Sequence, residues 1–208
     1  MRKPIAVLMS GAVLVWAVST ANADTPATPS HTRLDDSFAQ LRDDFNAKRG
    51  HVRLLFVVDS SCPMCLKGLA DIDEALLAGT DDPRLDTFVV HVPVIGGGEE
   101  HIAPAATLAH NDRVRHYWNA SGEFGGRLSA VAGLSSGDDF VYAWDVWLIY
   151  GPDATWEGRD PPKPEVLMHQ LPELRSRSEF PRLDADEFAR EVRQRLDGLA
   201  DAPVEKSP

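Results

Sequence analysis

The chain has 208 residues, with 21 Lys and Arg against 32 Asp and Glu, and a formal net charge of −11. That charge disfavours nucleic acid and anionic membrane surfaces as partners and mainly implies solubility. There is no nucleotide-binding loop, G-x-S-x-G elbow or H-E-x-x-H helix, so nucleotide and hydrolase functions lack support.

In chain order, Met1 to Ala23 reads as a secretory signal peptide. Arg2 and Lys3 supply the positive start, Ile5 to Val18 the apolar run, and Ala21-Asn22-Ala23 an A-x-A cleavage site. The run is short for a membrane span, which needs about 20 residues. Cleavage removes both cations and moves the formal charge from −11 to −13. The expected organisation is a flexible lead over 24–32, one domain with additions over 33–200, and a disordered tail over 201–208. Leu34, Phe38, Leu41 and Phe45 recur at helical spacing, with Asp35 and Asp36 near the start and Gly50 just past the end. They predict an N-terminal helix packed on the domain.

Val52 to Val58 is an apolar, β-branched and aromatic run, as a buried strand requires. It leads into Asp59-Ser60-Ser61-Cys62-Pro63-Met64-Cys65, which holds both cysteines of the chain. Leu66, Leu69, Ile72 and Leu76 then lie on one helical face. Two intervening residues in a first helical turn bring two sulfurs within bonding reach. The positive helix end favours an anion at the first of them. Cys62 is therefore the candidate attacking thiolate and Cys65 the resolving thiol. Pro63 suits the first turn, where its missing N–H costs nothing. Asp59 is a candidate for tuning the dithiol or relaying a proton, and equally for ending the strand in a turn.

A closed structural zinc site is not expected, because one cysteine pair stands without an H-x₃₋₅-H partner; His110 and His116 are the nearest approximations. Thiolate binding of a soft ion such as Cu(I) stays open.

Strand, C-P-x-C, amphipathic helix and second strand resemble the opening of a thioredoxin-like domain, over about residues 51–158. The resemblance implies an α/β fold, a central mixed sheet flanked by helices, and thiol–disulfide exchange without a cofactor beyond the redox-active disulfide. The implied partner is an exported protein or small molecule bearing a thiol or disulfide, met by a periplasmic or secreted monomer with no stable membrane insertion. Pro63 and Met64 belong to the substrate-facing motif. The family's cis-proline before the penultimate strand is missing, since Ala143-Trp144-Asp145 occupies that region. Trp144 or Asp145 is expected to face Cys62 instead.

Asp86 to Ile95 reads as the second strand, parallel to the first through a right-handed crossover. His91 within it is expected to be a hydrogen-bonded sheet residue. Glu99 to His110 has Ala-rich helical character, Arg113 to Trp118 reads as a short strand, and Phe124 to Val131 as a short helix. Phe140 to Tyr150 reads as a core strand and Ala154 to Glu157 as its antiparallel edge partner across the Gly151-Pro152-Asp153 turn. Met168-His169 offers a thioether and an imidazole that could complete a copper site with Cys62 and Cys65. A capped start at Asp184 opens a last amphipathic helix with Phe188, Val192, Leu196 and Leu199. Besides exchange, the readings to be weighed are a copper-binding or delivery protein with ligands Cys62, Cys65 and His169, and a thiol peroxidase. The last lacks the T-x-x-C pattern, because Asp59 stands at the Thr position.

Overall fold

The computed structural model describes residues 30–109, 111–135 and 139–200. The segment expected to be a signal peptide over 1–23, most of the expected lead, His110 and the tail expected over 201–208 lie outside the described residues.

Strand β2 (Val52–Val58) is buried along its whole length. Successive side chains of a strand point to opposite faces, and here each face meets its own apolar layer. Leu55 and Val57 join a cluster with Leu41 and Phe45 of α1 (Ala39–Asn46) and Phe124 and Leu128 of α4 (Glu123–Ala132). Leu54, Phe56 and Val58 join the opposite cluster with Leu69 and Ile72 of α2 (Pro63–Ile72) and Phe188 and Val192 of α5 (Ala185–Ala200). The buried run without polar alternation is thus the signature of a central strand covered twice.

Six strands form one sheet in the order β1-β4-β3-β2-β5-β6. Strands β1 (His31–Arg33), β4 (Val114–Trp118), β3 (Leu85–His91) and β2 are mutually parallel. Strand β5 (Val146–Tyr150) is antiparallel to β2, and β6 (Val166–His169) antiparallel to β5. The parallel pair β2–β3 is bridged by α2, which ends in a π-helical turn over Asp73–Leu77. This is the expected α/β architecture, a central mixed sheet flanked by helices, with β4 between β3 and β1 and a short α3 (Ile102–Ala106) in the crossover to it.

The structure corrects several sequence expectations. His31 and Thr32, inside the lead expected over 24–32, are strand residues that pair with His116 and Tyr117. The first helix starts at Ala39, and Leu34 instead donates its N–H to the Trp118 carbonyl, prolonging the β1 contact. Strand β3 stops at His91, since the backbone beyond it is drawn to a carboxylate described below. Only Val146–Tyr150 of the predicted 140–150 strand is extended in the sheet. The antiparallel edge is β6, not 154–157. Trp156 turns into the core against Phe45 and Phe124, and its N–H and carbonyl are both bonded to the Asn46 side chain. Those bonds satisfy backbone groups that an edge strand would have satisfied from a neighbour.

Candidate dithiol site

The dithiol stands where β2 ends and α2 begins, at the carboxyl ends of the parallel strands. Cys62 is the N-cap of α2 in an extended conformation, and its Sγ accepts the Cys65 N–H at 3.4 Å. Pro63 occupies the first helical turn, as its fixed φ allows. Cys62 is 5% exposed and Cys65 fully buried, whereas Met64 between them is 45% exposed. The motif therefore presents its proline and methionine outward and hides the second sulfur. Both cysteines are free thiols. Burial, reinforced by the negative charge of Asp145, pushes the Cys65 thiol far above its ordinary range.

Two buried carboxylates flank this pair. Asp59 Oδ1 accepts the Ser61 N–H (2.8 Å) and hydroxyl (2.7 Å). Its Oδ2 accepts the N–H groups of Val94 (2.8 Å), Ile95 (2.8 Å) and Gly97 (3.4 Å). Burial alone would raise the Asp59 carboxyl, but the Ile95, Ser61 and Val94 donors outweigh it and hold it below the ordinary carboxylate value. Position 97 must be glycine, because a Cβ there would collide with the Asp59 carboxylate. Asp59 thus clamps the loop after β3 beside the dithiol, with its lone pairs taken up by donors.

Asp145 lies across the site, at the start of β5, with φ 49° in the left-handed region that Asp tolerates better than most residues. It is 3% exposed, and one of its oxygens is within 4.8 Å of both sulfurs. Burial pushes its carboxyl up to about 6, partly offset by the Trp147 side chain and then by the Cys65 thiol. No cis peptide bond occurs among the described residues, and of Trp144 and Asp145, the two residues expected to face the dithiol, Asp145 brings a carboxylate oxygen near both sulfurs.

Gln170 ties the two sides together. Its N–H donates to the Asp145 carbonyl at 3.0 Å. Its side-chain amide, with the nitrogen turned inward, donates to Met64 O (3.0 Å) and Asp145 Oδ1 (2.8 Å). Gly68 on α2 permits this approach, since a Cβ there would collide with the Trp147 ring and crowd Gln170. Trp144 is half-buried and packs against the cluster that contains both cysteines.

A second polar chain leaves the site toward β4. The Ser60 hydroxyl lies 2.7 Å from His91 Nδ1, His91 Nε2 lies 3.0 Å from His116 Nδ1, and His116 Nε2 lies 3.2 Å from the Ala109 carbonyl. A carbonyl only accepts, so His116 donates from Nε2, which makes its Nδ1 an acceptor for His91 and leaves His91 Nδ1 to accept from Ser60. Burial, then the neighbouring His116 and His31, hold His91 well below its ordinary value and therefore neutral. His91 is the hydrogen-bonded sheet residue expected of it.

His169 is a correction. Its Nε2 donates to the Phe180 carbonyl (3.1 Å) and its Nδ1 accepts the Leu171 N–H (2.9 Å), so neither nitrogen is open to a metal shared with the cysteines. Met168 is buried in the apolar layer and pairs across from Trp147. The metal-capable group formed by the two cysteines takes Asp145 as its third member instead. Sequence reasoning missed Gln170 and the His91–His116 chain. No local pattern marks Gln170, and the two histidines meet only because β3 and β4 pair in register.

No protein-family model matches the chain, and no curated protein matches it. Among solved structures, a secreted Mycobacterium tuberculosis disulfide oxidoreductase homologous to E. coli DsbE is 12% identical. That similarity covers 71% of this chain and 84% of that one, with a TM-score of 0.45. A candidate protein disulfide isomerase from Bacteroides thetaiotaomicron is 13% identical, with 74% and 78% covered and a TM-score of 0.41. Among the described residues no helix is long and apolar enough to cross a membrane.

Proposed function

We propose that this protein carries out thiol–disulfide exchange on an exported protein or small thiol. The observation that carries the reading is the pairing of Cys62 at the N-terminus of α2 with a buried Cys65 directly behind it. In the reducing direction the Cys62 thiolate attacks a substrate disulfide, forming a mixed disulfide and releasing one substrate thiolate. Cys65 then loses its proton and attacks Cys62 Sγ, releasing the second substrate thiolate and leaving the Cys62–Cys65 disulfide. Two electrons pass from the protein to the substrate, and the oxidising direction is the reverse. Asp145, beside Cys65, is the group placed to take the Cys65 proton as that thiol attacks. Asp59 supports the site differently, by holding the 94–97 loop next to the motif. Met64, Val94 and Ile95, exposed apolar side chains on the motif and on that clamped loop, supply a surface for an apolar substrate segment.

Export follows from the signal peptide read over residues 1–23, which would put the dithiol in an oxidising compartment. The test is the reduction potential of the pair, by equilibration with glutathione, together with trapping by Cys65→Ser. A potential between about −270 and −120 mV, with mixed disulfides accumulating on Cys62, supports exchange. A potential well below about −300 mV with no trapped partner makes the bond structural and overturns the reading.

A further inference from the structure

Three donor side chains of two chemical kinds converge behind the motif. Cys62, Cys65 and Asp145 each offer a ligand atom, all within 4.8 Å of one another, and all three residues are buried. Around a tetrahedral ion with Zn–S near 2.3 Å and Zn–O near 2.0–2.2 Å, neighbouring ligand atoms sit about 3.5–3.8 Å apart. The group therefore needs only a modest contraction to enclose one.

We propose that the reduced protein binds one Zn(II) through Cys62, Cys65 and Asp145, so that metal and disulfide compete for the same two sulfurs. The donor set selects the ion. Two thiolates with one carboxylate suit borderline Zn(II); Cu(I) would leave the hard carboxylate unused, and Mg(II) or Ca(II) would leave both sulfurs unused. Three protein ligands do not close a tetrahedral shell, so the fourth position falls to water or an exogenous ligand. This differs from the closed four-ligand zinc site that the sequence argues against.

The third ligand is held in place before any ion arrives. Asp145 stands at the first turn into β5, and the Gln170 amide fixes its Oδ1 at 2.8 Å while bonding Met64 O inside the cysteine motif. A hydrogen-bonded support of this kind orients a ligating carboxylate and tunes its affinity. His169, with both ring nitrogens occupied, takes no part. Binding converts two thiols to thiolates and releases their protons, with no change of oxidation state. A Cys62–Cys65 disulfide has no thiolate to offer, so a disulfide substrate that oxidises the pair expels the ion. The proposal uses the same side chains as the exchange reading but does not require exchange activity.

The test titrates fully reduced, metal-free protein with Co(II) as a spectroscopic probe, then displaces it with Zn(II) against a chromophoric chelator. One equivalent is expected to bind with thiolate-to-cobalt charge transfer and tetrahedral ligand-field bands, and the oxidised protein is expected to give none. Asp145→Asn, which tolerates the left-handed backbone, is expected to weaken Zn(II) binding by at least about tenfold. Gln170→Ala, which removes no ligand but the amide bonds to the carboxylate and to Met64 O, is expected to weaken it about 10–100-fold and serves if Asp145→Asn fails to fold. Absence of tetrahedral bands in the wild type overturns the proposal. So does wild-type affinity in the folded variants, which would mean that the dithiol alone holds the ion. Exchange is assayed separately with chelator present, so that loss of exchange with zinc binding intact counts against the exchange reading alone.

Discussion

Asp59 and Asp145 are the same residue type, both buried, one on each side of the dithiol, and their surroundings give them opposite characters. Asp59 receives five hydrogen-bond donors, four from backbone N–H groups and one from a hydroxyl, and is held ionised below the ordinary carboxylate value. Asp145 has only the Gln170 amide and the neighbouring Trp147 and Cys65 side chains, and burial pushes its carboxyl up to about 6. A carboxylate saturated by donors is a structural clamp. One short of donors in a buried site has capacity left for a proton or a cation. The fold thus spends one acid on placing a loop and keeps the other available at the sulfurs.

The comparison can be broken at several points. Cys62→Ser should abolish exchange altogether, measured as turnover of a disulfide substrate, because no other thiol reaches the surface among the described residues. Asp59→Asn should destabilise the fold by about 2–4 kcal/mol in denaturant unfolding, since an amide cannot accept from both donor groups and leaves buried N–H groups unpaired. Hydrogen exchange should then accelerate at Val94, Ile95 and Gly97 first. Asp145→Asn should do the reverse to stability, gaining about 1 kcal/mol in metal-free protein near neutral pH, because a poorly solvated buried charge is removed. The same variant should slow release of the mixed disulfide by roughly tenfold or more, with the Cys62 adduct accumulating in quenched samples. If Asp59→Asn and Asp145→Asn shift stability in the same direction, the contrast between the two carboxylates is wrong.

The smallest expected effect concerns the histidine chain. His91 is neutral in the fold because burial and His116 lower its proton affinity. In the unfolded chain it charges as pH falls through the ordinary histidine value near 6.5, so the unfolded state binds more protons there. Stability should therefore fall as the solution is acidified below that value, by at most about 1.4 kcal/mol per pH unit from this residue. His91→Gln should flatten that slope without moving the exchange rate at pH 8.

Much of this molecule is legible before any coordinates. The unbroken apolar run of Val52 to Val58, the C-P-x-C pair at its end and the helical stripe of Leu66, Leu69 and Ile72 are local patterns. Local patterns determine a buried strand, a helix start and a dithiol at their junction. The same holds for α5, whose Phe188, Val192 and Leu196 recur at helical spacing and are buried as that spacing requires. Trp156 and the 154–157 segment went the other way. Alternation after a turn suggests an edge strand, but bonds to Asn46, 110 positions away in sequence, hold it in the core.

The functional neighbourhood divides along the same line. Residue types near the motif in sequence, Asp59 included, could be named, but not their roles. Asp59 becomes a clamp because the loop after β3 returns its N–H groups to that carboxylate, and His169 leaves the candidate ligands because residues 171 and 180 use both its nitrogens. The sequence by itself determined the strand, the dithiol and the helix that carries it, since each depends on neighbours within a few turns. Only the tertiary structure decided that Asp145, of the two residues expected there, brings its carboxylate to the sulfurs and that Gln170 ties it to Met64, because pairing β5 and β6 beside β2 brings together residues about 80 and 105 positions from the motif, and pairing of that range leaves no local periodic trace.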